Sequence, residues 1–430
     1  MDSTNDDKVN IELKKEDLEK LLQSELHSDL KVKYFISKPL TNPGDNYGST
    51  ILDVEVFYHK GESNDLYKLP IVAKLVPESP FLRKVFNIEI TFNKEVRAYT
   101  LVAPEFRKIQ EEKGIPEQQI LDVFPKYYGS RSNRQDDINM EADDSAVLLI
   151  ENLKLSGYEL RDRRKGFNFG HMKLTVSKLA QFHALGIAIK LLKPEVFNDS
   201  IMKTCQKFDV ANPDDDDANE NWITSIIDHV KHIPEIIPYL DKIEKRLRTN
   251  TQMRKDRREY PIREPFATIV HNDFWVNNVM FKYDESTDDT DKNKSSPTGI
   301  KFVDFQGTIY ASPVRDLIFL LFSSSEDGLL EKHYDNFIRR YHEEFIGLLT
   351  KLGCDTRLFT YEHFLEEINV CAVQEFSHIL FMLNPISVNP SDTVKLANIT
   401  SGNILQKKIG EIYDRKAKTL VQKFVGNGWL

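Results

Sequence analysis

The chain has 430 residues, 40% of them hydrophobic, and sets 58 Lys and Arg against 67 Asp and Glu for a formal charge of -9. A chain of this length can bury a sizeable core, and its size suggests two or three lobes. The acidic balance gives no global positive field to gather nucleic acid or an acidic membrane surface, so neither is an expected partner.

The opening "MDSTNDDKVN" is polar and acidic, unlike a signal peptide, and the longest apolar run, "LIFLLF" at 317 to 322, is too short to span a bilayer. A soluble, cytoplasmic protein is expected. Cys205, Cys354 and Cys371 lack C-x-x-C spacing and read as reduced core thiols. The sequons at Asn198, Asn293 and Asn398 then read as chance occurrences. After a polar tail, "NIELKKEDLEKLLQSEL" spaces Leu13, Leu18, Leu21, Leu22 and Leu26 as an amphipathic helix does. Strand-like runs follow in "KVKYFISKPL", "STILDVEVFYH" and "YKLPIVAKLV", separated by the turn-rich "NPGDNYGS" and "KGESND", which predicts an antiparallel meander. A charged helical stretch from about Phe81 to Lys113 interrupts it, and "FPKYYG" and "SAVLLIENL" add two strand candidates.

Beyond "LKLSGY" the pattern turns helical, most clearly in "KLTVSKLAQFHALGIAIKLL" (173 to 192). The acidic "NPDDDDANE" (212 to 220) has no Gly or terminal Glu at calcium-loop spacing and reads as a solvated connection with a helix start. The basic "MRKDRREYPIRE" (253 to 264) carries interleaved acids and reads as a solvated helix end. A β island at 266 to 306 is split by "YDESTDDTDKNKSSPTG", a polar loop that joins "NVMF" to "IKFVDF" as a hairpin and looks dispensable from Asp284 to Pro297. Helices resume to the C-terminus, and no internal repeat occurs at solenoid periods.

The hairpin carries the chemistry. In "HNDFWVNN" Asp273 and Asn278 stand in a D-x-x-x-x-N relation, and "FVDFQ" adds Asp304. Magnesium takes a few carboxylate or amide oxygens together with waters and phosphate oxygens, a role open to Asn278 and Asp304. Asp273 is then free to orient a bound hydroxyl and accept its proton during phosphoryl transfer. Other polar residues have plainer readings. Trp275 packs beneath the loop, His183 is a satisfied core histidine on the apolar face of "LAQFHALGIA", and His229 and His232, one turn apart, lack further zinc ligands.

These motifs resemble the catalytic loop and metal-binding Asp of the protein-kinase-like superfamily. "HNDFWVNNVMF", "KFVDFQ" and "SPVRDLIFLL" resemble its aminoglycoside and choline kinase-like branch, and "LLIENLKLSGYELRDRRKGFN" with "LAQFHALGIA" resembles the ecdysteroid kinase-like family, from about residue 30 onward. The resemblance implies an α+β bilobal fold. Residues 1–30 would be a tail and helix, 31–150 a small antiparallel-sheet N-lobe that binds nucleotide, and 151–430 a large, mostly helical C-lobe with the catalytic and acceptor sites. It also implies ATP and Mg2+ as cofactors and a small-molecule hydroxyl as substrate.

Residue by residue, the resemblance puts Lys74 of "IVAKLV" at the α/β phosphates, paired with Glu95 of "FNKEVRAY". Independently, a lone Lys in an apolar strand would cost several kcal/mol of desolvation unless paired. By the same resemblance the backbone of Glu151 to Leu153 would meet adenine, Asp316 would brace the catalytic loop, and His271 would orient it. Gly44 and Gly48 are the only glycines where protein kinases carry GxGxxG, so phosphate cover there is weakly signalled. "DFQ" replaces DFG, Asn152 stands where many relatives carry an acid, and "APE" at 103 to 105 precedes the catalytic loop and cannot close an activation segment. The expected acceptor is an ecdysteroid or similar lipophilic alcohol. The rivals are a choline or ethanolamine kinase, a silent kinase-fold binding protein, and a scaffold that presents its helical lobe; no protein partner is identifiable.

Overall fold

The computed structural model describes residues 13–40, 48–206, 216–255, 262–284, 296–389 and 410–430. Gly44, Asn293, Asn398, most of the polar loop at 284 to 297 and parts of the acidic and basic stretches at 212 to 220 and 253 to 264 lie outside the described residues.

The fold is α+β, with a small antiparallel sheet first and a larger, mainly helical part after it. Helix α1 (Lys15–Glu25) precedes β1 (Leu30–Pro39), β2 (Thr50–Lys60) and β3 (Tyr67–Leu75). Then come α2 (Pro80–Val85), α3 (Ile88–Arg97), a π-helical segment (Ala98–Val102) and α4 (Ala103–Glu112). Strands β4 (Tyr127–Arg131) and β5 (Val147–Glu151) complete a five-stranded sheet ordered β1-β2-β3-β5-β4, every pair antiparallel.

Strand alternation divides this sheet between two cores. Ile71, Ala73 and Leu75 of β3 face outward, where Leu18, Leu21 and Leu22 of α1 cover them. Gly129 lets α1 lie close: a Cβ there would stand 2.8 Å from the Leu21 carbonyl oxygen, and its φ of +138° suits glycine. Val72 and Val76 face inward with Leu148 and Ile150 into the main core, and the alternation sends Lys74 to that same inner side. On α3 the helical period places Ile88, Phe92 and Glu95 on one buried stripe, which Tyr99 continues in the π segment.

Strand β6 (Tyr158–Leu160) leads to α5 (Phe169–Leu192), α6 (Pro194–Val196) and a second π segment (Phe197–Met202). After α7 (Asp216–Val230) and α8 (Leu240–Lys255) come β7 (Thr268–Val270), the hairpin β8 (Val279–Lys282) and β9 (Gly299–Phe302), and β10 (Ile309–Ala311). Helices α9 (Val314–Ser324), α10 (Leu329–Lys351), α11 (Tyr361–Ser387) and α12 (Glu411–Gly426) close the fold. The predicted meander and the β8–β9 hairpin are present. Helix α5 starts one turn earlier than its apolar pattern, at Phe169, because the Asn168 side chain accepts the His171 N–H at 3.1 Å and caps it. Strands β6 and β10, three residues each, pair with β8 and β7 and are too short to show alternation in the sequence.

Candidate active site

Strand β7 ends at Val270, and after His271 the chain turns through Asn272, whose φ of +65° is unusual for a side-chain-bearing residue. Holding such a backbone costs about 1–3 kcal/mol and needs bracing from its surroundings. Asp316, buried in the first turn of α9, supplies it by accepting the His271 N–H at 2.6 Å and the Asn272 N–H at 2.7 Å. Burial alone would raise the Asp316 carboxyl, but His183 and the surrounding donors hold it below the ordinary carboxylate range. His183 lies 3.1 Å from Asp316 through Nε2 and 2.7 Å from the Tyr341 hydroxyl through Nδ1, so it is a satisfied core histidine, as expected. His271 reaches the Val303 carbonyl through Nε2 at 2.9 Å, tying the loop to the end of β9.

Directly after that turn, Asp273 faces Asn278 across a tight 3-10 turn (Val276–Asn278). Asn278 Nδ2 donates to the Asp273 carbonyl at 2.8 Å and to its carboxylate at 3.0 Å. With the nitrogen thus committed, the amide oxygen is the atom left to offer a cation. Burial and the Asp304 charge lift Asp273 above the ordinary Asp range, with His271, His378 and Asn278 acting against the rise. Trp275 is buried and belongs to the main apolar core.

Asp304 also has left-handed backbone, φ +66°, and its Oδ1 accepts from Lys74 Nζ at 2.8 Å. The same ammonium lies 2.5 Å from Glu95, so a lysine of the sheet, a glutamate of α3 and an aspartate after β9 converge. Burial opposes the charge on Lys74, but the Asp304 and Glu95 carboxylates outweigh it and keep the ammonium above its usual pKa. Burial pushes the Glu95 carboxyl up, while Lys74 and the Phe305 backbone N–H favour its anion. Side chains of Lys74 and Glu95 are 4% and 1% exposed, whereas Asp304 is 25% exposed and open to a ligand.

The residues fit a magnesium nucleotide. Asn278 and Asp304 offer hard oxygen donors, and their segments are joined by the Val303 N–H bond to the Asn278 carbonyl at 3.0 Å. No group of three or more His, Cys, Asp or Glu side chains that could cage a metal occurs among the described residues, so a cation here would complete its shell with phosphate and water. His229 and His232 form no such group. Gly48 provides a close approach, since a Cβ there would stand 2.9 Å from the Gln306 side-chain oxygen. Glu151 ends β5, and the Leu153 carbonyl accepts the Tyr158 N–H at 2.9 Å, which shapes the turn beside the expected adenine position. Asn152 is bound to Asp53 at 2.8 Å rather than turned to a ligand.

Sequence reasoning missed the cluster of Arg315, Glu375 and His378 on α9 and α11. Arg315 pairs with Glu375 at 2.9 Å, and His378 Nδ1 lies 3.0 Å from the same carboxylate. Only the i, i+3 spacing of Glu375 and His378 hints at the contact, and buried helix faces have that spacing everywhere.

A family model described as the ecdysteroid kinase-like family matches residues 43–354, well over half of the chain, and leaves α11 and α12 outside the match. Curated proteins give no significant match. Among solved structures, the spectinomycin phosphotransferase APH(9)-Ia, in complex with ADP and spectinomycin, aligns over 97% of this chain and 99% of its own at 11% identity and a TM-score of 0.39.

Proposed function

The chain belongs to the ecdysteroid kinase-like family, and from that premise we propose that it is a small-molecule kinase that transfers the γ-phosphoryl group of ATP, with Mg2+, to an alcohol. The observation that carries this reading is the convergence of Lys74, Glu95 and Asp304 beside the Asp273–Asn278 pair. Residues 31–150 would form the nucleotide-binding lobe and 151–430 the catalytic and acceptor-binding lobe. The leading acceptor class is an ecdysteroid or similar lipophilic alcohol.

In this reading Lys74 holds the α/β phosphates, Glu95 fixes Lys74, and the Gly48 segment covers the phosphates. The Glu151 carbonyl and Leu153 N–H would meet adenine. Asn278 and Asp304 would hold Mg2+, which when bound neutralises charge on the phosphates. Asp273 orients the acceptor hydroxyl and takes its proton as the oxygen bonds to the γ phosphorus and the bond to the β–γ bridging oxygen breaks, releasing ADP. His271 and Asp316 keep Asp273 in place without touching substrate. No helix among the described residues is long and apolar enough to cross a membrane.

The test is phosphate transfer from labelled ATP-Mg to ecdysone, 20-hydroxyecdysone, cholesterol, choline and ethanolamine. One class should be phosphorylated, and Asp273→Asn should lower turnover roughly 10²–10⁴-fold with ATP affinity kept. Near-normal turnover in the variant would remove Asp273 from its role. Nucleotide binding without transfer to any acceptor would favour a silent kinase-fold binding protein.

A further inference from the structure

We propose that His378 of α11 is an acceptor-binding residue, held by Glu375 and Phe319 so that its Nε2 edge takes an oxygen of the small molecule that Asp273 activates. The inference rests on the kinase reading above and adds to it a specificity-determining group from outside the catalytic hairpin.

The placement follows from α9. Asp316 and Phe319 are one helical turn apart and therefore share a face of that helix. Asp316 grips the backbone of His271 and Asn272, while Phe319 stacks on the His378 ring with centroids 4.2 Å apart and planes 14° from parallel. The helix that braces the catalytic loop thus also sets the imidazole beside it. Consistent with that nearness, His378 is among the groups that act on Asp273 in favour of its anion.

The imidazole is fixed at one edge and open at the other. Glu375, 2% exposed and anchored by Arg315, engages Nδ1, whereas the His378 side chain is 32% exposed. A carboxylate that holds one ring nitrogen sets the direction of the other, which can give or take one hydrogen bond. Along α11 the half-buried Phe381 and Met382 follow His378 by three and four residues and extend the same side with apolar surface. An acceptor with an oxygen near its reacting hydroxyl and a lipophilic body would match that order of groups.

The test compares His378→Phe and His378→Gln in steady-state transfer from ATP-Mg to the five-acceptor panel. Phenylalanine can keep the stack on Phe319 and leaves Glu375 with Arg315, but it loses the polar edge, and glutamine restores a polar group near Nε2. The expected result is an acceptor KM at least about tenfold higher in the Phe variant, with KM for ATP unmoved and kcat within about threefold, and recovery to within about threefold in the Gln variant. His378→Leu serves as a second loss variant if the Phe protein melts early. An unchanged acceptor KM, or acceptor KM, ATP KM and kcat all worsening in parallel, would overturn the proposal and leave the kinase reading standing. If the wild-type protein binds ATP-Mg yet phosphorylates no acceptor, the kinase reading fails and this proposal falls with it.

Discussion

Lys74 shows how one side chain can be both a structural debt and a functional asset. A buried ammonium costs several kcal/mol unless opposite charge surrounds it, and Glu95 at 2.5 Å and Asp304 at 2.8 Å provide that charge. Asp304 is open enough to be shared with a ligand, while Glu95 is sealed in. Lys74→Met should therefore weaken nucleotide binding at least about tenfold and leave the Glu95 carboxyl without its cation. Burial already pushes that carboxyl up, so it should take a proton near neutral pH and limit the stability loss to about 2–4 kcal/mol. Adding Glu95→Gln removes the charge altogether and should recover stability but not nucleotide binding, checked by denaturant melts and nucleotide titration of both proteins. A double variant as unstable as the single one would show that the lost pair is not the cause.

At the level of elements, what the sequence made legible depended on whether a local pattern carried it. Strand β3 was readable as an apolar run bounded by turn residues, and a lone Lys74 inside it asked for a charged partner, while its place at the phosphates came through family likeness. The catalytic hairpin was readable because Asp273, Asn278 and Asp304 interrupt apolar strands at fixed spacing. Glu95 and Asp316 sit in helices whose polar residues have no diagnostic period, and they came only through family likeness. His378 and Glu375 came through neither, since their meaning depends on the packing of α11 against α9. The contact of α5 with β7 was also hidden, although its key residue stands in plain view. At Gly186 a Cβ would lie 2.3 Å from Thr268 Oγ1 and 2.8 Å from Ile269 Cγ2, so the helix touches the strand only because this residue has no side chain. Gly186→Ala gains about 1 kcal/mol of helix propensity but forces apart two rigid elements, an overpacking cost of about 1–3 kcal/mol or more. Net destabilisation is expected, with reduced turnover, because β7 runs directly into the catalytic loop. A rise in the denaturant midpoint would show that the interface yields and that propensity decides.

On the scale of the whole molecule, the sheet and the helical part are joined behind the site as well as across it. Phe302 N–H donates to the Val123 carbonyl at 2.7 Å, Lys301 Nζ to the Phe124 carbonyl at 2.9 Å, and Arg97 to the Lys203 carbonyl at 3.1 Å. One apolar core runs through both parts, and Phe305 stacks on Phe124 at 4.7 Å directly beside Asp304. A ligand that touches Lys74 from one side and Asp304 and Asn278 from the other therefore adds a front connection to parts already fastened at the back, and should stabilise the molecule as a unit. Linkage gives about 2.7 kcal/mol for a ligand at 100 times its Kd, which a thermal melt resolves. ATP with Mg2+ should raise the melting temperature, and chelation by EDTA should remove most of the rise. In the proposed roles, Asp304→Ala should erase the difference between ATP alone and ATP-Mg, because it removes the carboxylate assigned to the metal, whereas Asp273→Asn should keep it, because that side chain is assigned to the acceptor. The two variants thus separate metal binding from chemistry without any acceptor in the cuvette. A metal-dependent shift that survives in Asp304→Ala would move the cation to other ligands and reopen the assignment of Asn278 with it.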